Sequence, residues 1–438
     1  MRSTFLKSLL ASTFLLGGVT TSHADDWQEK VVAATNKVMP NVVSLRHHFH
    51  QYPELGNREF KTAEKIAEHL TSLGIEIETG VAHTGIVGTL KGGKPGKTVA
   101  LRADMDALPV TEKTGLPFAS KVTVDWRGQE TGVMHACGHD AHMAILLGVA
   151  EILAGMKEDI PGTVKFFFQP AEEGAPPGEE GGAKLMIKEG VLKGDDAPEA
   201  IFGLHVMPGP AGLIAYKPEG MMAASDGFSI RVKGQQTHGS MPWGGIDPIA
   251  VSAQIINSMQ TIVSRQMDIT KAPAVVTVGS INGGNRGNII PEEVVMTGTI
   301  RTLDMDMRAE IHERLKRTVT MVAESYGASA DIDISIGYDV TFNDPELTAE
   351  MLPILDQYST GGKAMLIKPI MGAEDFSFFQ QQIPGLYFSL GVAADDAEPG
   401  TSAPNHSPYF YVNDKALPVG VKALSNLALN WLSTNAGE

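Results

Sequence analysis

The sequence predicts a two-domain α/β protein, and three observations carry that prediction. At 438 residues, 43% of them hydrophobic, the chain is too long for one compact core of ordinary composition. From Asp25 to about Gly220, short apolar strands alternate with helical stretches, the pattern of helices layered on a sheet. Around Ala223 the pattern changes to strand, helix, strand, strand, helix, strand, the βαββαβ order of a split βαβ unit.

Each element rests on its local pattern. Residues 99–101 are a continuous apolar run and 164–168 an apolar run broken only by Lys165, as expected of buried strands, and residues 143–156 carry a helical pattern. In the inserted unit, strands are expected at 228–233, 274–280, 294–301 and 330–336, with helices at 248–265 and 307–326. Strand and helix signals of the first domain resume after about Asp339, with strands at 364–367 and 386–390. The expected organisation is therefore a first domain of residues 25–222 and 339–438, interrupted by an insert of residues 223–338. A self-contained unit in mid-chain is expected to act as a lid or dimerisation domain.

The formal net charge of -16 and the lack of any basic block argue against a nucleic-acid or anionic-membrane partner. Small-molecule or peptide chemistry is the better expectation. At the N-terminus, Arg2 and Lys7 precede an apolar run from Leu9 to Val19, followed by Ser22-His23-Ala24. That order predicts a signal peptide cleaved near Ala24 and a periplasmic or secreted protein. The run falls short of the roughly 20 residues a spanning helix needs. No later stretch is long enough to span. Cys137 is the one cysteine, so an exported chain cannot use it for an internal disulfide, and it must be a buried spectator, a reactive thiol or a metal ligand.

The densest chemical feature is His135-Ala136-Cys137-Gly138-His139-Asp140-Ala141-His142. Thiolate and imidazole together favour zinc, or cobalt, nickel or manganese, over calcium or magnesium. Cys137 and His139 lie two apart, so in an extended segment both face one site. Asp140 and His142 are then expected to orient ligands. Next comes Gln169-Pro170-Ala171-Glu172-Glu173-Gly174, directly after the apolar strand ending at Phe168. Strand ends are where α/β sheets bind ligands. Adjacent carboxylates point apart, which suits a division between a metal ligand and a general base. By themselves a Glu-Glu pair is more often a solvated loop, His205 in Phe202-Gly203-Leu204-His205-Val206 is more often a core histidine, and Asn405-His406-Ser407-Pro408 is weak. The carboxylate pair Asp104 and Asp106, after a buried strand, could equally serve to pair Arg102.

Together these stretches resemble the M20 metallopeptidase and amidohydrolase family, closest to its aminoacylases, hippurate hydrolases and hydrolases of auxin conjugated to amino acids. The matching segments are Arg46-His47-His48-Phe49-His50 with Pro53-Glu54, Arg102 to Pro109, His135 to His142, Gln169 to Gly174, Gly203-Leu204-His205, Gly372-Ala373-Glu374-Asp375-Phe376 and Asn405-His406-Ser407. The resemblance implies a first domain of the zinc-peptidase type with a ferredoxin-like insert. It implies two divalent metal ions per subunit, most simply zinc, with Mn, Co or Ni as alternatives, held by Cys137, His139, Glu173, His205 and His406. Five ligands for two ions call for a bridge, and Cys137 is the expected one, beside a bridging water or hydroxide.

The same resemblance makes Glu172 the general base and His238, in Gln236-Thr237-His238-Gly239-Ser240, an oxyanion-stabilising residue that reaches a partner subunit's site in a homodimer. Asn288 and Arg301 match positions that hold the substrate's α-carboxylate or support the site. Trp243 departs from the family pattern, standing where a second histidine is frequent, which bears on substrate preference. The implied reaction is hydrolysis of the amide of an N-acyl amino acid. A carboxypeptidase or dipeptidase on the same site is the alternative within enzymes. A periplasmic binding protein without catalysis is the alternative outside them, and it leaves Glu172 without a purpose.

Overall fold

The computed structural model describes residues 22–398 and 400–436. The expected leader falls on residues 1–24 and lies, but for its last three residues, outside the described residues. Among the described residues no helix is long and apolar enough to cross a membrane.

An eight-stranded sheet forms the first domain, in the order Glu76–Val81, Gly85–Lys91, Pro161–Gln169, Lys94–Asp104, Ala200–Met207, Gly385–Gly391, Ile214–Tyr216 and Met365–Leu366. The four central strands run parallel. Strands covered on both faces need not alternate in polarity, and Phe166, Phe167 and Phe168 are accordingly consecutive and all buried. The helices Ser22–Gln51, His139–Ala154 and Leu417–Thr434 pack together against one face. His139–Ala154 is apolar on nearly every side and buried along almost its whole length, as a central helix must be.

The insert has its own antiparallel sheet, ordered Ala274–Asn282, Glu293–Thr302, Ala224–Lys233 and Ser329–Tyr338. Its two helices, Pro248–Gln266 and Met305–Ser325, begin at Asp247 and Asp304, whose carboxylates accept backbone N–H groups of the first turn. Ile230, Val232, Ile255, Met259, Ile311 and Leu315 belong to a core separate from that of the first domain. The chain order of these elements is βαββαβ.

One local expectation fails. The helix after the histidine cluster begins at His139, four residues before the position expected from the apolar pattern. Cys137 and His139 therefore do not share the face of an extended segment. Gly138 between them is left-handed, with φ 100°, and a Cβ there would come within 2.3 Å of Val206 Cγ2. Only glycine fits this turn, and the turn aims both side chains the same way.

Candidate metal centre and active site

The carboxyl ends of the parallel strands and the N-terminus of the His139–Ala154 helix meet at one place, where α/β sheets usually bind ligands. Ligand-capable atoms of Cys137, His139 and His205 lie there within 4.8 Å of one another, and so do those of Cys137, Glu173 and His406. The two triads share Cys137. All five residues expected to hold metal are thus brought together, in the arrangement that two ions bridged by one thiolate would need. Cys137 Sγ is 3.3 Å from His205 Nε2, and His406 Nε2 is 3.0 Å from Glu173 Oε1.

The donor set fits divalent metal on several grounds. His205 Nδ1 donates to the Val206 carbonyl at 2.8 Å, which leaves the Nε2 lone pair facing the thiol. Burial, reinforced by His142, lowers the His205 pKa to about 3, so this imidazole is neutral and ready to ligate. Both ring nitrogens of His139 are buried without a hydrogen-bond partner, a costly state unless something binds. Its Nδ1 lies 3.3 Å from Asp106 Oδ1, outside hydrogen-bond geometry. Burial opposes protonation of His139, but Asp104, Asp106 and Glu173 outweigh it and lift its pKa to about 10. Burial and the charge of Glu173 push the Cys137 thiol well above its ordinary value. A buried thiol among carboxylates ionises only if a cation joins it.

Glu172 stands beside the triads, grouped with His139 and Glu173 on one side and with Glu374 and Asp375 on the other. Burial first, and then the charges of Glu374, Glu173, Asp375 and Asp106, raise its pKa well above the usual carboxylate range. Its backbone is fixed from several directions. Asp106 accepts the amides of Glu172 at 3.0 Å and Glu173 at 2.9 Å, and Glu59 accepts the amide of Ala171 at 3.0 Å. The Tyr338 hydroxyl, at the end of the insert, donates to the Glu172 carbonyl. These bonds hold Ala171 at a φ of 50°, a strained conformation for a residue with a Cβ.

His406 reaches the site from far along the chain because Asn405 ties it there. The Asn405 amide donates to the carbonyls of Cys137 at 2.9 Å and Val206 at 3.1 Å, joining three ligand-bearing segments. The helper residues divide differently from expectation. His142 does brace the site, binding Asp104 Oδ1 at 2.6 Å through Nδ1 and accepting the Val206 amide at 2.8 Å through Nε2. Asp140 touches no candidate ligand; its carboxylate accepts from Arg46 and is bonded to His50, because the first helical turn points it toward the Ser22–Gln51 helix. Glu59, Asp106 and Tyr338 were missed as supports for residues 171–173. Only the placement of Asp106 after a buried strand signalled it in advance.

The structure does not bring the insert's candidates to this chain's metal cluster. His238 is exposed, and its Nδ1 accepts from the Ser240 amide at 3.1 Å and lies 2.8 Å from the Ser240 hydroxyl. It does lie beside Asn288, since the Gly239 amide donates to the Asn288 carbonyl at 2.8 Å and His238 pairs with Ile289. Arg301 pairs in register with Ser225, itself opposite Tyr338, so it lies two strands from the residue that touches the Glu172 segment. Among the described residues Arg301 makes no ion pair.

The profile of peptidase family M20/M25/M40 matches residues 100–430. The chain is 42% identical over 409 residues to thermostable carboxypeptidase 1 of Saccharolobus solfataricus, covering 93% of this chain and 99% of that one. It is 36% identical over 379 residues to the N-acetyl-L-cysteine deacetylase of Bacillus subtilis, covering 86% and 84%. Among solved structures it is similar to the Bacillus subtilis protein YxeP, described as a dinuclear metal-binding peptidase of the M20 family. That similarity has a TM-score of 0.76 at 33% identity and covers 91% of this chain and 99% of that one.

Proposed function

The chain belongs to peptidase family M20/M25/M40 and is a metal-dependent hydrolase, and from that premise we propose that it cleaves the amide bond of N-acyl amino acids. The observation that carries the proposal is the pair of triads sharing Cys137 with Glu172 left over beside them. A metal-storage or purely binding site would have no use for that extra buried carboxyl.

Cys137, His139 and His205 would hold one divalent ion, and Cys137, Glu173 and His406 the other, with zinc the first candidate and Mn, Co or Ni the alternatives. When bound, such ions supply Lewis acidity and positive charge that offsets the surplus of carboxylates. Glu172 takes a proton from the attacking water and returns it to the leaving nitrogen. The hydrogen bonds from Glu172 and Glu173 to Asp106 and from Tyr338 keep that carboxyl in place. His238 of a second copy in a homodimer would stabilise the developing oxyanion, and Asn288 and Arg301 would hold the substrate's α-carboxylate. Export after cleavage near Ala24, to the periplasm or beyond, is part of the same proposal and is tested by sequencing the N-terminus of the mature protein.

The test is Glu172→Gln with metal content measured alongside activity. A loss of about 10²–10⁴-fold in kcat with both ions retained is expected. Turnover near that of the unsubstituted chain would refute the role of Glu172. A second reading, a carboxypeptidase acting at the same site, is favoured by the 42% identity to the Saccharolobus enzyme. A panel of N-acetyl and N-benzoyl amino acids against simple dipeptides separates the two, since only the free α-amino group distinguishes the acyl sides.

A further inference from the structure

The chain passes between the domains twice, and the two passages lie side by side. The strand Ala224–Lys233 enters the insert, the strand Ser329–Tyr338 leaves it, and the two pair antiparallel with Ser225 opposite Tyr338. The register shifts between Ser225 and Asp226, and the strands run so close that a Cβ on Gly337 would come within 2.0 Å of the Ser225 carbonyl oxygen. An irregularity of this kind re-aims the side chains beside it. Here the neighbouring side chain is Tyr338, whose hydroxyl donates to the Glu172 carbonyl in the first domain.

One buried cluster fixes the backbone on each side of Tyr338. Before it, the Gly337 amide donates to Asp226 Oδ1 at 3.0 Å. After it, the Asp339 carboxylate accepts from Arg308. Arg308 joins the two anchors by binding both oxygens of Asp226, at 2.8 Å through Nε and 2.5 Å through Nη2, a two-point pairing that fixes direction as well as distance. From the first domain, Lys184 donates to the Gly337 carbonyl at 3.2 Å, and Phe378 meets the Tyr338 ring edge to face. Asp226 and Arg308 are buried. Among the described residues neither bonds to Glu172 or to a candidate metal ligand. For cohesion alone, apolar side chains of similar volume would serve as well as buried ions; what the ions add is orientation.

We propose that Asp226, Arg308 and Asp339 are positioning residues for the reaction: they set the Tyr338 hydroxyl on the Glu172 carbonyl and so tie the placement of the Glu172 carboxyl to the seating of the insert. The proposal rests on Glu172 as the general base of the amidohydrolase reading above, and the experiment separates the two.

The full metal-loaded chain is assayed for kcat and KM on an N-acetyl amino acid and a dipeptide. Hydrogen exchange, read by mass spectrometry, follows residues 170–175, where Glu59 and Asp106 hold the amides of residues 171–173. The variants are Tyr338→Phe, Asp339→Ala, the two combined, and Asp339→Asn, which keeps an acceptor oxygen for Arg308. Ile311→Val, which loosens the insert's core without touching the cluster, is the control. Tyr338→Phe and Asp339→Ala should each lower kcat by about 3–10-fold, with KM and metal content unchanged, and speed exchange of 170–175 by about threefold or more. Because both act through one bond, the combined variant should be no worse than Tyr338→Phe alone, whereas independent lesions would multiply. Asp339→Asn should recover most of the loss, and Ile311→Val should show none. Multiplying effects, equal losses in Ile311→Val, or an Asp339→Ala chain that matches the unsubstituted one in kcat and exchange would each overturn the proposal. If the unsubstituted chain cleaves neither substrate, the amidohydrolase reading fails, and exchange alone decides whether the cluster holds the Glu172 segment.

Discussion

Two buried arginines, Arg102 in the first domain and Arg308 in the insert, each lie among carboxylates, and the two clusters differ in how their charges balance. In the insert, Arg308 binds Asp226 and Asp339, and His312 lies 2.7 Å from Asp226, so two basic groups face two acids. In the first domain, Arg102 binds Asp104 at 2.7 Å, Asp375 at 2.9 Å and Glu374 at 3.0 Å. Glu172 is grouped with the last two and lies 4.0 Å from His139 Nε2, so acids outnumber bases here. A balanced cluster holds a fold together. A buried cluster with surplus negative charge is relieved only by cations or by protons, because unpaired buried charge costs several kcal/mol. The imbalance therefore marks the metal side of the molecule independently of any ligand motif.

Neutralising the two arginines should sharpen that contrast most. Arg102→Met removes the guanidinium from a fully buried site and takes it from Glu374 and Asp375, while Asp104 keeps His142 at 2.6 Å, so a loss of about 3–5 kcal/mol is expected. Arg308→Met leaves His312 on Asp226 and the Gly337 amide donating to it at 3.0 Å, in a thinner shell of protein. Its cost should be smaller by about 1 kcal/mol or more. Guanidinium unfolding of both variants gives the comparison, and equal losses would break it.

In the metal-free chain, the buried carboxyls Asp375 and Glu59 of the first domain and Asp226 of the insert should respond to pH with opposite signs. Burial, with Glu374 adding to it, raises Asp375 from 3.8 to about 7 despite Arg102. Burial and Asp106 likewise raise Glu59 to about 7. A carboxyl raised in the folded state contributes stability that is full below its unfolded pKa and is lost as pH rises through the folded one. The stability that Asp375 and Glu59 carry should therefore be lost between about pH 4 and 7, by about 1.4 kcal/mol per pH unit for each proton released, against an opposite contribution from His205, which burial lowers to about 3 and keeps neutral in the fold. Burial opposes ionisation of Asp226, but Arg308, His312 and the Gly337 amide outweigh it and hold its pKa low. Its contribution is present above the ordinary carboxylate pKa and is lost as pH falls toward the folded value. Calorimetry with and without chelator reads both, and adding metal should flatten the response of the first domain alone.

How much of this was legible beforehand depended on the range of the interaction. The insert's elements are local, and their alternating or helical patterns place them within a few residues of where they lie. Cys137, His139 and the Glu172-Glu173 pair are dense enough in chemistry to stand out. His205 and His406 are lone histidines that only a family resemblance could mark, since Asn405 brings His406 to the site through bonds to residues 268 and 199 positions away. Glu59 and Tyr338 act on the backbone of residues 171 and 172 from distant segments, and ordinary residues at ordinary positions carry no signal of that. The turn at Gly138 was misread because periodicity reports regular structure and not a left-handed kink.

His238 offers the smallest effect on stability and the most direct way to break the contrast between domains. Its side chain is exposed and among the described residues bonds to Ser240 alone, so His238→Ala should change unfolding free energy by no more than about 0.5 kcal/mol. If its work is done in the active site of a second copy, activity should nevertheless fall sharply. The decisive experiment mixes two inactive variants, Glu172→Gln and His238→Ala, after mild dissociation. In a mixed dimer one site combines both lesions and the other has neither, so random pairing should restore about a quarter of full activity. No recovery, with mixed dimers present by native mass spectrometry, would mean that His238 serves its own chain or none, and the insert would then be a structural partner to the charged site rather than a contributor across the interface.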